Sequence, residues 1–567
     1  MNYLDKYNEW LNSDIIDENT KNELKLIADD KKEIEERFYK DLEFGTGGLR
    51  GIMGAGTNRL NKYTVGKATL GLANYLCEKY TNDDLKTRGV AIAFDTRNNS
   101  QFFAEVAGKV LSSKGIKVYL FEVPVPTPEL SFAVKHYNCV SGIVLTASHN
   151  PKEYNGYKVY DEYGCQLVPK DAEELISYVN SVKDFSEIDF SSNANLVKNV
   201  NCTEEFTDEV LMQSLNNDNQ SKIELKVVYT PIHGTGNIPV RLALKKSGFE
   251  KVYVVSEQEL PDGNFSTVLS PNPEEKNALN MGIEYANKND GDIVLGTDPD
   301  CDRVGVAVKH LGEYKLLTGN QIGALLTDYV CSKKDFSKIN NPAIIKTIVT
   351  SELGAEIAKT YGLTVFSTLT GFKFIGEKIT QFENIKKSNL NKKNYTFVMG
   401  YEESYGYLIG THARDKDAVV SSLLICEMTA EYKKQGKTLF DKLQDLYSKY
   451  GIYKDSLDSF TLKGKDGLEK INEMMKTIRN DSNVFDNLKQ VIDYLNVVED
   501  ENGFGPLPKS NVLKFIFEDD SWIAIRPSGT EPKIKVYYSI KSKSENLANA
   551  RLDNYKTLIK EKLGIKE

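Results

Sequence analysis

The run Val90-Ala91-Ile92-Ala93-Phe94 is apolar at every position, and short apolar runs recur at 118–121 and 142–145. Continuous runs, unlike alternating ones, need cover on both faces, which is the situation of parallel strands between helix layers. Stretches with helical spacing separate them, the first at 102–111. A second cycle of the same kind uses 227–229, 238–246, 252–255 and 293–295. A third uses 343–348, 352–359, 364–367 and 396–399. The pattern predicts an α/β fold of three related doubly wound layers, without a strict sequence period. The end of the chain differs: 460–462, a helix over 467–479, strands at 512–517, 522–525 and 534–540, and a last helix read as α+β. A chain of 567 residues exceeds one core. We therefore expect domains at 1–205, 206–320, 321–450 and 451–567, with a hinge near 450–456.

Net charge is -9, which argues against nucleic acid as a general partner and leaves anionic small molecules to local clusters. The seven cysteines are scattered with no C-x-x-C pair, a pattern suited to a reducing compartment. Residues 1–18 lack an apolar signal core, and the most apolar helical stretch, 418–430, is too short to span a bilayer. The expectation is a cytoplasmic protein without a membrane partner.

Four polar clusters follow strands. In the first, Thr146-Ala147-Ser148-His149-Asn150-Pro151 follows the run 141–145, with Lys158 ten residues beyond the serine. A serine hydroxyl can carry a phosphoryl group when neighbours manage its proton and charge, and His149 and Lys158 suit those tasks. Alone, the serine reads more simply as a turn or helix cap. In the second, Asp298, Asp300 and Asp302 alternate in Asp298-Pro299-Asp300-Cys301-Asp302-Arg303. Three crowded carboxylates repel, so a hard divalent ion is their natural partner. An EF-hand is excluded: counting from Asp298, the sixth residue is Arg303 and the twelfth Lys309.

The third cluster, Gly400-Tyr401-Glu402-Glu403-Ser404-Tyr405-Gly406, offers carboxylates and a hydroxyl that suit vicinal sugar hydroxyls, or a helix start. The fourth, Arg526-Pro527-Ser528-Gly529-Thr530-Glu531-Pro532-Lys533, combines an arginine fork, two hydroxyls, a glycine and a lysine. A plain hairpin has no use for so many phosphate donors.

In this order the four clusters resemble the α-D-phosphohexomutase superfamily, over about residues 44–536. Phe44-Gly45-Thr46-Gly47-Gly48-Leu49-Arg50-Gly51 resembles the N-terminal signature, and Asn155-Gly156-Tyr157-Lys158 completes the phosphoserine loop. Asp95-Thr96-Arg97 and Thr370-Gly371-Phe372-Lys373 also fit. The resemblance implies a heart-shaped enzyme of three related α/β domains and a smaller α+β phosphate-binding domain. It implies an intramolecular phosphotransferase of the isomerase class. Ser148 would be phosphorylated, with Asp298, Asp300 and Asp302 holding one Mg²⁺ per chain together with a phosphoserine oxygen of Ser148. His149, Lys158 and Arg50 would serve catalysis. Glu402 and Ser404 would read sugar hydroxyls, with Thr370, Gly371, Lys373 and Arg303 contacting or steering substrate. Arg526, Ser528, Gly529, Thr530 and Lys533 would hold the phosphate that is not transferred.

Two departures narrow the expectation. Tyr401 stands where many members have glycine, and Gly47 where many have serine or alanine. The first points to the longer, phosphoglucomutase-2-like branch, while Ser404 favours glucose. The expected reaction interconverts α-D-glucose 1-phosphate and glucose 6-phosphate through a phosphoserine enzyme. Glucose 1,6-bisphosphate would be intermediate and activator. Mannose phosphate, pentose phosphate or bisphosphate synthesis are the alternatives, in a monomer or homodimer.

Overall fold

A computed structural model describes residues 2–45, 47–388, 393–462, 465–481, 485–528 and 533–565. The chain divides into two compact units, one of Met1–Leu317, Phe372–Lys392 and Tyr405–Gln435, the other of Thr318–Gly371, Lys393–Ser404 and Gly436–Glu567.

The first unit contains two sheets. One runs in the order Leu49–Ile52, Tyr154–Tyr160, Ser141–Leu145, Val90–Phe94, Val118–Phe121, Val197–Val200. Its last four strands are parallel, three of them the apolar runs and the fourth, Val197–Val200, an unanticipated edge, and its first two are antiparallel additions. The other runs Glu313–Leu317, Val304–His310, Ile293–Thr297, Lys226–Thr230, Lys251–Val254, with parallel pairing among the last three. Helices Lys62–Lys79 and Ser100–Ser113 help to cover the larger sheet. Ile92, Phe94, Val118, Ile143 and Leu145 are sealed in its core.

The antiparallel strands were not anticipated, because Tyr154-Asn155-Gly156-Tyr157-Lys158-Val159-Tyr160 carries polar residues that an apolar-run criterion rejects. They are nonetheless buried, since Asn155 and Lys158 find polar partners there. Also unanticipated are three N-terminal helices, Tyr3–Asn12, Glu18–Leu26 and Lys31–Phe38, each capped by an Asn or Asp side chain. Trp10 packs edge-on against Phe38 and Tyr63, at 5.7 and 5.5 Å between ring centres.

In the second unit, Thr364–Thr368, Pro342–Thr347 and Thr396–Glu402 pair in parallel. The unexpected Tyr401 is fully buried, between helices Gly319–Lys333 and Leu353–Thr360. A Cβ on Gly323 would lie 2.3 Å from its ring, and one on Gly354 2.1 Å from its hydroxyl. Tyr401 is thus a core residue whose space is made by two glycines. The C-terminal sheet is antiparallel, in the order Ile452–Thr461, Lys533–Ser542, Trp522–Pro527, Leu513–Phe517, Leu488–Asp493. Helices Lys465–Asn480 and Glu545–Lys562 accompany it.

The stretch 450–456, expected as a hinge, consists of the end of a helix, one glycine and the start of a strand. Residues 452–456 pair with 542–538 in register, so only Gly451 separates helix Leu439–Tyr450 from the strand. Among the described residues no helix is long and apolar enough to cross a membrane.

Candidate active site

Ser148 follows the strand Ser141–Leu145 with φ at 51°, a left-handed conformation that costs energy for any residue with a Cβ. Its surroundings enforce it. The Ser148 N–H donates to the Thr146 hydroxyl (2.8 Å), which donates to Asp95 Oδ2 (2.6 Å). The buried Arg97 guanidinium donates to four carbonyls of the turn: Ser148 (2.6 Å), Asn150 (2.5 Å), Pro151 (2.9 Å) and Tyr154 (3.1 Å). Asp95 Oδ2 lies 3.3 Å from Arg97 Nε. Gly156 is required because a Cβ there would lie 2.4 Å from the Thr146 carbonyl oxygen. Arg50, on the strand Leu49–Ile52, donates to Asn150 Oδ1 at 3.3 Å.

Ser148 Oγ donates to Asp298 Oδ2 (2.9 Å) and lies 3.1 Å from His149 Nδ1. Asp298 begins the turn after Ile293–Thr297, and its Oδ1 accepts the N–H groups of Asp302 and Arg303, both at 3.0 Å. The segment His233-Gly234-Thr235 braces this turn from outside. The Thr235 N–H and hydroxyl both reach the Pro299 carbonyl (2.9 and 3.0 Å). A Cβ on Gly234 would lie 2.6 Å from Pro299 Cα.

Asp300 Oδ2 accepts from Lys158 Nζ (3.1 Å) and the Thr127 hydroxyl (3.0 Å). Asp302 Oδ2 pairs with Lys416 Nζ at 2.9 Å, and Lys158 Nζ is 4.0 Å away. The three carboxylates are fully buried, with ligand oxygens within 4.8 Å of one another. Asp300 Oδ1 and Asp302 Oδ1 have no hydrogen-bond partner among the described residues. Burial and the neighbouring Asp302 and Asp300 push Asp298 well above the usual carboxylate range, and burial and Asp300 raise Asp302. Burial also opposes ionisation of Asp300, but Lys158, the hydrogen bond with Asp298 and Lys416 together outweigh it and hold that group below its ordinary value. Crowded, buried carboxylates with orphaned oxygens fit a hard divalent cation, which would supply the charge this pocket lacks. Burial, then Arg303 and Arg50, hold His149 well below the ordinary histidine value, so its ring is neutral.

Lys416 was not among the expected residues. It bridges Asp302 and Asp415 Oδ1 (3.1 Å), and Asp415 Oδ2 accepts from the Tyr160 hydroxyl at 2.7 Å. The only sequence cue was Arg414-Asp415-Lys416-Asp417, which also reads as a helix cap, and Asp417 indeed caps Ala418–Lys434. Arg303 ion-pairs with Glu274 and lies 3.7 Å from Asp302 Oδ1. Lys373 opens the helix Phe372–Ser388, where burial lowers its pKa and its carbonyl accepts from Cys165 Sγ.

The remaining expected residues belong to the second unit. Glu402 is buried, and the Ser404 hydroxyl donates to its Oε1 at 2.9 Å. The adjacent Glu403 turns elsewhere: its Oε2 accepts from Thr347 (3.1 Å) and Thr350 (3.2 Å). Burial and Glu402 push Glu403 up to about 7. Thr370 Oγ1 is buried with no hydrogen-bond partner among the described residues, and Gly371 has φ at 118°. Arg526 stands near the end of Trp522–Pro527, opposite Lys535, and the Ser528 N–H donates to the Lys533 carbonyl at 2.7 Å. Gly529 and Thr530 lie outside the described residues.

A serine held against buried carboxylates that fit a divalent cation, on doubly wound α/β layers, defines an enzyme built to pass a phosphoryl group through a hydroxyl. The chain belongs to the phosphoglucomutase/phosphomannomutase family. Its α/β/α domains I, II and III match residues 41–185, 204–312 and 318–450, and its C-terminal domain matches 466–551. It is accordingly a phosphohexomutase, an isomerase-class phosphotransferase. The phosphoglucomutase of Staphylococcus haemolyticus is 37% identical over 533 residues, covering 92% of this chain and 94% of that one. That of Staphylococcus aureus (strain MRSA252) is 39% identical over 534 residues, covering 91% and 93%. The structure of parafusin, a phosphoglucomutase from Paramecium, superposes with a TM-score of 0.69 at 19% identity, covering 93% and 95%. A phosphoglucomutase/phosphomannomutase family protein from Burkholderia thailandensis gives 0.66 at 17% identity, covering 92% and 97%. These two likenesses speak for the fold.

Proposed function

We propose that this enzyme interconverts α-D-glucose 1-phosphate and glucose 6-phosphate through phosphorylated Ser148, with glucose 1,6-bisphosphate as intermediate and activator. The observation that carries the reading is Ser148 Oγ, 2.9 Å from Asp298 Oδ2 in a turn of which Arg97 gathers four carbonyls. A phosphoryl carrier needs a fixed position more than a reactive environment, and this one is fixed on every side.

Asp298, Asp300 and Asp302 would hold one Mg²⁺ per chain, with an oxygen of phosphorylated Ser148. When bound, the cation neutralises charge on the phosphoryl oxygens. In the first half-reaction the Oγ–P bond of phosphoserine breaks as an O–P bond forms to a sugar hydroxyl, whose proton ends on Ser148 Oγ. Lys158 and Arg50 balance charge around the moving group. In the second, the other phosphate's bond to its sugar oxygen breaks, that oxygen leaves as a hydroxyl, and a new O–P bond forms to Ser148 Oγ. Its proton has a neutral acceptor in His149 Nδ1, 3.1 Å away. Glu402 and Ser404 hold sugar hydroxyls, with Thr370 and Gly371 beside the substrate and Arg303 and Lys373 steering it. Arg526, Ser528, Gly529, Thr530 and Lys533 retain the phosphate that is not transferred. Four domains with the boundaries given above would share this work. A cytoplasmic setting suits the seven free cysteines.

The test is Ser148→Ala assayed with a bisphosphate primer. We expect conversion to fall by about 10⁴-fold or more with circular dichroism unchanged. Intact mass should show one phosphoryl group on the parent enzyme that exchanges with bisphosphate. Full activity in the variant would overturn the scheme.

A further inference from the structure

The side chain of Lys514 leaves the strand Leu513–Phe517 of the C-terminal sheet and ends against the segment 347–352 of the parallel sheet's domain. It is buried, and its ammonium donates to the Ile348 carbonyl at 2.7 Å. It lies 4.3 Å from the centre of the Trp522 ring and 3.7 Å from Glu352 Oε1. A second buried lysine, Lys346, holds the same segment from below, donating to Glu352 (2.9 Å) and to the carbonyls of Thr350 (3.2 Å) and Thr347 (3.4 Å). Two buried ammonium groups therefore share one carboxylate. Such an arrangement is poor as a source of stability, because burying each charge costs more than a methionine of similar shape would. Burial accordingly pushes Lys514 down to about 8, against the pull of Glu352.

The segment that these lysines hold has one further duty. The hydroxyls of Thr347 and Thr350, 2.8 Å apart, both donate to Glu403 Oε2, while the neighbouring Glu402 and Ser404 bond to each other. Glu403 is thus the anchor of the loop whose other two side chains read the sugar. At its other end, Lys514 sits opposite Ala524, two residues from Arg526 on the neighbouring strand.

We propose that Lys514 is a positioning residue: by holding the segment 347–352 beneath Glu403, it sets Glu402 and Ser404 in register with the strand that carries Arg526. The inference rests on the function proposed above, in which these groups grip the two ends of one substrate. A sugar phosphate that must bind in two orientations needs a constant distance between hydroxyl reader and phosphate clamp, and the lysine supplies a rigid strut between them.

The experiment compares K514M, T350V and the double variant in steady-state kinetics with glucose 1-phosphate and a saturating bisphosphate primer. K514M should raise KM about five- to ten-fold with kcat within about two-fold, since it loosens binding without touching the reacting atoms. T350V should do the same to a similar extent. The double variant should be no worse than the poorer single variant, because both release one segment. An unchanged KM in K514M, or fully multiplicative effects, would overturn the proposal. Should K514M fail to fold, K514Q carries the test: at least a three-fold rise in KM supports the strut, and an unchanged KM removes it. Parent enzyme assayed alongside separates the two readings. Absence of turnover there ends the functional reading, whereas normal turnover with an unmoved KM in the variant ends the strut alone.

Discussion

The serine–aspartate cluster and the Glu402–Ser404 loop are positioned by different kinds of force. Around Ser148 the support is ionic and buried: Arg97 gathers four carbonyls, Lys158 and Lys416 pair with Asp300 and Asp302, and three carboxylates stand together. In the other loop the immediate support is mostly hydroxyl: Ser404 on Glu402, and Thr347 and Thr350 on Glu403. Charges in a low-dielectric interior fix positions steeply, while neutral hydroxyls donate or accept as a partner requires.

The largest effect should come from breaking the ionic side. Asp300→Asn should lower kcat by about 10³-fold and weaken Mn²⁺ binding measured by calorimetry, since it removes one of three carboxylates. Retained metal affinity would show that the pocket is held by its lysines alone. Arg97→Met should lower kcat by about 10²-fold with metal binding unchanged, because it frees the turn and leaves the carboxylates in place.

The hydroxyl side should respond more gently and in another parameter. Ser404→Ala should raise KM for glucose 1-phosphate by about ten-fold with little change in kcat. A collapse of kcat there instead would erase the distinction between the two sides.

The smallest effect concerns stability. Glu129, on the helix whose first residue Thr127 bonds to Asp300, is fully buried with one oxygen unpartnered among the described residues, and burial pushes it up to about 8. Folded protein then binds a proton that the unfolded chain has lost between roughly pH 4.5 and 8, so stability from this group falls as pH rises through that window. Glu129→Gln should raise the melting temperature by a few degrees at pH 8 and leave it unchanged at pH 5. An equal shift at both values would refute the assignment.

Much of this was legible in the chain. Val90–Phe94 and Ile293–Thr297 read as buried strands because apolar burial is a local property of each run. Asp298, Asp300 and Asp302 read as a cation site because their repulsion is local too. Lys416 and Glu403 did not, since each sits in a motif with an ordinary capping explanation. Nor did the strand Tyr154–Tyr160, whose Lys158 is tolerated in the interior only because Asp300, 142 residues away, meets it.

The layers, the order of the clusters and the chemical type of each are thus written in the chain, because periodicity and residue chemistry act over a few neighbours. Which groups meet is a property of the folded molecule. Arg97 beneath Ser148, Thr127 on Asp300, Lys416 on Asp302 and Lys514 on Ile348 are pairings between distant segments. Their energies depend on burial and distance, which no local pattern encodes.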